Sequence, residues 1–140
     1  MRFWDSSAVV PLVIGQPASP HVSAWMSADD AIVIWTFTIV EIASALRRLV
    51  REQVLDEQTA GPAEARADEL ANAVHVVADI EPVKIGARRL LRLHQLRASD
   101  ALQLAAALHW AEGHPHGRIV HTLDARLGLA AQREGFTVPA

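Results

Sequence analysis

Short apolar segments alternate with longer helical segments along the chain, and this alternation limits the folds that the sequence can adopt. The clearest apolar segment, Ala31-Ile32-Val33-Ile34-Trp35, lies between two aspartates and a threonine, as expected for a strand that is buried on both faces. Strands that alternate with helices predict a parallel sheet covered by helices on both sides. We therefore expect an α/β/α sandwich whose functional crevice lies beyond the carboxyl ends of the strands.

The predicted elements run from one end of the chain to the other, with no repeat and no linker that would divide it. A length of 140 residues fits one domain, so residues 1–140 are expected to form a single domain. The predicted strands are 2–4, 31–35, 74–78, 118–122 and 136–138. The predicted helices are 8–14, 19–26, 38–53, 62–73, one that begins at Pro82, 100–111 and 125–133.

The composition excludes several classes of site and location. The chain has no cysteine, which excludes disulfides, cysteine-ligated zinc and thiol catalysis. Its apolar stretches are far shorter than the ~20 residues of a membrane-spanning helix. Asp5 stands where the apolar core of a signal peptide would begin. We therefore expect a cytoplasmic protein that does not associate with membranes, and its net charge of −3 argues mildly against a dedicated nucleic-acid binder.

Four of the sixteen acidic residues stand in unusually apolar surroundings. Asp5 directly follows the first predicted strand, and Asp124 comes shortly after the strand at 118–122. Glu41 lies between apolar pairs near the start of the long helix, and Asp100 opens a helix that is rich in alanine and leucine. Both strand-end acids should face the crevice, and the two helical acids share faces with apolar residues.

Each of these acids also has an ordinary structural explanation. Asp5 and Asp124 can serve as N-caps, Asp100 can complement a helix dipole, and Glu41 can pair with an arginine. Together, however, four carboxylates facing one crevice would repel each other and would be costly to bury. A hard divalent cation would remove that conflict, and oxygen-only ligands favour Mg²⁺ or Mn²⁺ over zinc.

Other sites that could carry chemistry have weaker patterns. His114 and His116, with His109 and His121 nearby in sequence, lack the spacing of a metal site and suggest a solvated loop. Ser6 lies outside any Gly-x-Ser-x-Gly elbow, and neither it nor its neighbour Ser7 is expected to act as a nucleophile. The sequence contains no Walker A loop and no Gly-x-Gly-x-x-Gly fingerprint, so nucleotide binding of those kinds is not expected.

Four segments resemble the motifs of the PIN-domain family, and within it those of the VapC-type toxins of bacterial toxin–antitoxin modules. The closest match begins at Leu96-Arg97-Ala98-Ser99-Asp100-Ala101-Leu102 and continues to Ala107. The other three segments, in chain order around that match, are 3–12, 40–46 and 122–136. Each motif is weak alone, but all four occur in the family's order and spacing over essentially the whole chain.

The resemblance implies a PIN-like fold and a Mg²⁺-dependent endoribonuclease, with Mn²⁺ as a possible substitute. It also implies an RNA substrate, a homodimer and inhibition by a cognate antitoxin protein. Cleavage would be a metal-assisted hydrolysis of a phosphodiester. The family's metal ligands match Asp5, Glu41, Asp100 and Asp124. The hydroxyls of Ser6 and Thr122 match positions that often support the site.

An acidic crevice repels RNA, so arginines are expected to hold the substrate backbone. One group, Arg47, Arg48 and Arg51, follows Glu41; a second group precedes Asp100. From the second group we select a phosphate-binding track. Its members are Arg88, Arg92 and Arg97. The alternative is that these arginines form an ordinary solvated helix face.

Two other functions remain open at the level of sequence. A PIN fold could act as a binding module with little catalysis, although all four acids are present. A receiver or a haloacid-dehalogenase-like phosphatase also uses acids at strand ends, but the phosphatase needs Asp-x-Asp where this chain has Asp5-Ser6-Ser7. The receiver needs a lysine late in the chain, and the single lysine here is Lys84.

Overall fold

Four short parallel strands form the central sheet in the computed structural model, which describes residues 1–140. The strands are β1 (Arg2–Trp4), β2 (Ile32–Trp35), β3 (His75–Val77) and β4 (Val120–His121). The helices are α1 (Ser6–Val13), α2 (Ser19–Ala28), α3 (Thr38–Arg51), α4 (Glu57–Ala73), α5 (Ile80–Leu93), α6 (Ala98–Trp110) and α7 (Ala125–Glu134). None of these helices has both the length and the apolar character needed to cross a membrane.

The strand order β3-β2-β1-β4 places β1 in the interior of the sheet. In β1, Phe3 is in register with Val33 of β2 on one side and with Val120 of β4 on the other. Because every pair is parallel, all four strands end at the same edge. The predicted α/β fold with a parallel sheet is confirmed, and the predicted crevice edge lies directly after Trp4 and His121.

Two hydrophobic cores lie on opposite faces of the sheet. Alternate residues of a strand point to opposite faces, so Phe3 and Val33 enter one core while Trp4 and Ile34 enter the other. The first core contains buried residues of α5, α6 and α7, and the second contains buried residues of α1 to α4. All four residues of β2 are buried, as its continuous apolar sequence predicts.

Several helices begin earlier than the sequence pattern predicts. Helix α1 begins at Ser6 because the carboxylate of Asp5 accepts the backbone N–H of Ser7, which is an N-cap contact. Helix α4 begins at Glu57, where the prediction was 62, because the Asp56 side chain caps the N–H of Thr59 at 2.8 Å. The predicted starts at Ala8 and Pro62 are therefore wrong, because side-chain caps set the N-termini of both helices at earlier residues.

The predicted fifth strand at 136–138 is reduced to a single parallel bridge between Ile119 and Thr137. The Thr137 carbonyl accepts the N–H of Val120 at 3.0 Å, and its own N–H donates to the carbonyl of Arg118 at 2.9 Å. The next hydrogen bond of the ladder is not formed, because Pro139 has no N–H to donate. The prediction of a full strand there is wrong, because only one parallel bridge joins this segment to the sheet.

Glu134 joins α7 to α5 through two hydrogen-bonded contacts. Its carboxylate is 3.0 Å from Nη2 of Arg89 and 2.8 Å from Nε2 of His94. Burial would raise the pKa of Glu134, but the hydrogen bonds from Arg89 and His94 outweigh it and hold the pKa below its usual value of 4.5. The ionised carboxylate therefore stabilises the folded state.

We expect Glu134→Gln to lower the free energy of unfolding by about 1 kcal/mol at neutral pH, because charged hydrogen bonds are lost and Arg89 is partly solvated. A carboxylate with a depressed folded-state pKa stabilises the fold above its unfolded pKa and loses that contribution as the pH falls through the folded value. The difference from wild type should therefore shrink below about pH 4.5. Urea unfolding at several pH values measures it, and a constant difference down to pH 3 would contradict the account.

Candidate active site

The carboxyl edge of the sheet brings Asp5 and Asp124 to one side of the molecule. Each is the N-cap of the helix that follows it: Asp5 accepts the N–H of Ser7 at 3.2 Å, and Asp124 accepts the N–H of Leu127 at 2.9 Å. Asp5 and Asp124 can therefore cap a helix and also lie beside the crevice, because the N-termini of α1 and α7 are at this edge of the sheet.

Asp5 is held rigidly by hydroxyl groups from two elements. Its Oδ2 accepts hydrogen bonds from Oγ of Ser7 at 2.5 Å and from Oγ1 of Thr122 at 2.9 Å. The Ser7 hydroxyl in turn accepts the N–H of Leu123 at 2.9 Å. Asp5 is only 3% exposed, and burial raises its pKa although the hydrogen bonds from Ser7 and Thr122 oppose the rise.

Glu41 is positioned by two side chains from different helices. Its Oε2 accepts hydrogen bonds from Oγ of Ser6 at 2.8 Å and from Nε2 of Gln103 at 3.2 Å. Gln103 is fully buried and also donates to Oγ1 of Thr38 at 3.0 Å. Burial raises the pKa of Glu41, and the nearby charges of Asp5 and Asp100 raise it further against the opposing hydrogen bonds from Ser6 and Gln103.

Asp100 lies in the first turn of α6, after the N-cap position of Arg97. Its side chain makes no ion pair and no hydrogen bond with another side chain. Burial raises the pKa of Asp100, and the charges of Asp124 and Asp5 raise it further. These mutual effects link all four predicted acids, which are Glu41 of α3, Asp100 of α6 and the N-caps of α1 and α7.

No basic side chain forms an ion pair with this group of acids, although the charge of Arg97 and a hydrogen bond from its backbone oppose the rise in the pKa of Asp100. Other carboxylates of the chain, among them Glu57, Glu64 and Glu134, pair with arginines within 4.0 Å, whereas Asp5, Glu41, Asp100 and Asp124 form no ion pair. Glu41 Oε1 and Asp124 Oδ2 also accept no hydrogen bond. The site therefore concentrates negative charge that the nearby Arg97 offsets only in part, and this is costly unless a cation binds.

The donor atoms fit a hard divalent cation. The free atoms are carboxylate oxygens, which Mg²⁺ and Mn²⁺ prefer. No three acidic or histidine side chains converge closely enough to form a complete ligand set by themselves. That arrangement still suits Mg²⁺, because Mg²⁺ commonly takes one or two carboxylates and completes its coordination with water and substrate phosphate oxygens.

A crevice of about 620 Å³ opens beside these acids, and a second of about 420 Å³ adjoins it. Glu41 lines the first crevice, and Asp100 and Asp124 line both. Asp5 is buried and lines neither crevice, whereas its neighbours Ser6 and Ser7 line the larger one. We refer to the two together as the acidic cleft.

Three arginines stand at the rim of the acidic cleft. Arg48 and Arg97 line the larger crevice, and Arg97 and Arg126 line the smaller one. Of the phosphate track expected from the sequence, Arg97 is thus at the cleft, Arg92 lines a neighbouring groove, and Arg88 lines none of these depressions. Arg126 was missed because nothing in its local sequence distinguishes it from a solvated arginine.

Ser7, Thr38 and Gln103 were also missed as parts of the site. Gln103 carried a usable signal, because it is a polar residue three positions after Asp100 in an otherwise apolar helix and shares a face with Asp100. The sequence indicates Ser7 only as a neighbour of Asp5, because its contact partner Thr122 lies 115 residues later in the chain.

The histidines are placed away from the acidic cleft. His121 is buried and its ring stacks on that of Trp25 at 4.3 Å between centroids. Burial and the adjacent Arg2 charge lower the pKa of His121 to about 4, so it is a neutral core residue at neutral pH. His109 bonds the carboxylate of Asp79 at 2.7 Å, and His114 and His116 are exposed in the loop after α6.

Solved structures share this architecture. FitAcB from Neisseria gonorrhoeae superposes with a TM-score of 0.66 at 17% identity, covering 100% of this chain and 97% of that one. PAE2754 from Pyrobaculum aerophilum superposes with a TM-score of 0.66 at 20% identity, covering 98% of this chain and 87% of that one. At such identities the likeness shows the fold alone.

The sequence comparisons extend the likeness to a family. The family model for the PIN domain matches residues 2–132. Two curated relatives from Mycobacterium tuberculosis, ribonuclease VapC45 (strain CDC 1551 / Oshkosh) and ribonuclease VapC49 (strain ATCC 25618 / H37Rv), are each 32% identical over 136 residues. The alignments cover 97% of this chain and 92% of each relative. This chain therefore belongs to the PIN-domain family.

Proposed function

We propose that this protein is a Mg²⁺-dependent endoribonuclease and the toxin of a VapBC-type toxin–antitoxin pair. The observation that carries the proposal is the acidic cleft, which Glu41, Asp100 and Asp124 line without an ion-pair partner at the carboxyl edge of the sheet. The charge of the buried Asp5 acts on Glu41 and Asp100 there. The names of the two ribonuclease relatives support RNA as the substrate. The family assignment leaves the receiver and phosphatase alternatives without support.

The proposed metal ligands are Asp5, Glu41, Asp100 and Asp124, and Mn²⁺ would substitute for Mg²⁺. When bound, the cation supplies positive charge that lowers the pKa of an attacking water and offsets the charge of the phosphodiester. Ser6 orients Glu41, and Thr122 with Ser7 orients Asp5. These hydroxyls keep the carboxylates from turning away from the cleft, and Arg97 at the rim is placed to hold a phosphate of the substrate.

The proposed partners are an RNA substrate, a cognate antitoxin and a second copy of the chain in a homodimer. The VapC names support the antitoxin. The proposal of a homodimer follows from the resemblance to the family alone. With these partners the proposed place of action is the cytoplasm.

Purified protein should cleave single-stranded RNA in Mg²⁺, and EDTA should stop the cleavage. Sequencing of the 5′ ends that appear after induction in cells would then define the RNA target. A protein that is folded but leaves RNA intact in Mg²⁺ and in Mn²⁺ would instead be a binding module with a PIN fold.

Expression of the chain alone should arrest bacterial growth, and Asp5→Ala should relieve the arrest. We expect this because Asp5 is the most completely buried and bonded of the four carboxylates, so its loss disables the whole cleft. Colony counts after induction measure the effect, with immunoblots showing equal amounts of soluble protein. If growth continues although the expressed wild-type protein cleaves RNA after purification, the toxin assignment fails and the nuclease assignment stands.

A further inference from the structure

A second depression, which we call the basic groove, lies beside the acidic cleft between the end of α5 and one face of α7. It has a volume of about 590 Å³, and its lining includes Arg92, Arg126 and Arg133 together with Leu91, Leu93 and Leu129. Arg126 lines both the basic groove and the smaller crevice of the cleft. The two depressions are therefore neighbours that share one wall.

The charges in the basic groove are unpaired. Arg92, Arg126 and Arg133 form no ion pair within 4.0 Å, and no acidic residue lines the groove. In contrast, Arg47 and Arg89 are paired with Glu57 and Glu134. The groove is thus a positive surface directly beside a negative one, and its cationic groups are free to bind an anion.

The spacing on α7 suits an extended polyanion. Arg126 and Arg133 are seven residues apart, so they lie on the same face of the helix, separated by about 10 Å along its axis. Leu129 lies between them on that face and is 48% exposed. An arginine, an apolar side chain and a second arginine therefore follow each other along the groove.

We propose that the basic groove holds the RNA strand on one side of the scissile phosphodiester. Arg92, Arg126 and Arg133 bind successive phosphates, and the exposed leucines contact ribose and base faces. This inference rests on the proposed ribonuclease function. A strand in the acidic cleft is repelled by the carboxylates, so its binding energy must come from cationic groups beside the cleft, and the basic groove is contiguous with the cleft through Arg126.

The test measures RNA binding in an Asp100→Asn background, where cleavage does not interfere. The probe is a short, fluorescently labelled single-stranded RNA of mixed sequence, in Mg²⁺ and at several salt concentrations. The Arg92→Gln/Arg133→Gln double variant leaves the cleft residues, including Arg126, untouched. The matched control is Arg51→Gln, which changes an exposed arginine at the end of α3 that lines neither the cleft nor the groove.

We expect the double variant to bind RNA about tenfold more weakly, with a salt dependence reduced by about 0.7 for each lost phosphate contact. In the cleaving protein the same pair of substitutions should raise KM while kcat stays within about twofold. The control should match its parent in affinity and in salt slope. An unchanged dissociation constant and slope in the double variant would overturn the proposal.

Three further results separate this inference from its alternatives. If Arg92→Gln/Arg133→Gln weakens the binding of an acidic, leucine-containing peptide but leaves the affinity for RNA unchanged, the groove binds a protein and the inference is wrong. If the wild type binds RNA through these arginines without cleaving it in Mg²⁺ or Mn²⁺, the groove stands and the ribonuclease proposal fails. If the protein cleaves RNA at a rate that does not depend on Arg92 or Arg133, the ribonuclease proposal stands and the inference about the basic groove fails.

Discussion

Asp100→Asn is expected to lower RNA cleavage by about a thousandfold, a typical scale for loss of one group that holds charge at a reacting centre. The substitution keeps the size of the side chain and removes one negative charge from the cleft. Burial and the charges of Asp124 and Asp5 raise the pKa of Asp100, so its ionised form destabilises the fold above that pKa. In EDTA the variant should therefore melt at the same temperature as wild type or higher.

Initial cleavage rates and thermal melts in EDTA test this prediction together. The control is Asp68→Asn, which removes an equal charge from an exposed position on α4 that forms no ion pair. It should cleave at the wild-type rate. Wild-type cleavage by the Asp100→Asn variant would remove Asp100 from the site, whereas a lower melting temperature in EDTA would mean that the carboxylate stabilises the fold after all.

Addition of Mg²⁺ is expected to stabilise the wild-type protein by about 2.7 kcal/mol at a hundredfold excess over the dissociation constant, because the ion binds the folded state alone. The shift should be at least as large with Mn²⁺, and Zn²⁺ should support little cleavage because its preference for nitrogen and sulfur does not match an all-oxygen site. Thermal melts with each ion measure the effect. A Mg²⁺ shift of equal size in Asp100→Asn would mean that the ion binds elsewhere.

The position of the acids could be predicted from the sequence because it depends on local patterns. The apolar run at 31–35 predicts a buried parallel strand, and parallel strands all end at one edge. An acid directly after a strand, such as Asp5, must then lie at that edge. For the helical acids, the apolar residues beside Glu41 and the alanine-rich helix after Asp100 indicate that these carboxylates face inward.

The resemblance indicated Ser6 and Thr122 as supporting hydroxyls, but the acid that each contacts and the other contacts could not be predicted, because most of them join residues that are distant in sequence. Ser7 and Thr122 meet only when β1 and β4 pair. Gln103 of α6 reaches Glu41 of α3 only in the folded protein, because these two helices belong to the cores on opposite faces of the sheet. Which arginines are free to bind a phosphate also could not be predicted from the sequence. Arg89 and Arg92 look alike in sequence, yet Glu134 neutralises Arg89 and leaves Arg92 free.

If the carboxylates of the acidic cleft hold the cation that cleavage requires, the cleavage rate and the stability must both respond to that ion. Mg²⁺ is therefore added back to EDTA-treated wild-type protein while the RNA cleavage rate and the thermal stability are followed on the same samples. We expect no cleavage at the start and then a rate that saturates with Mg²⁺. The melting temperature should begin to rise at the Mg²⁺ concentration where the rate rises, and it should continue to rise after the rate has saturated. Full cleavage in EDTA, or activity that saturates with no change in stability, would contradict the account.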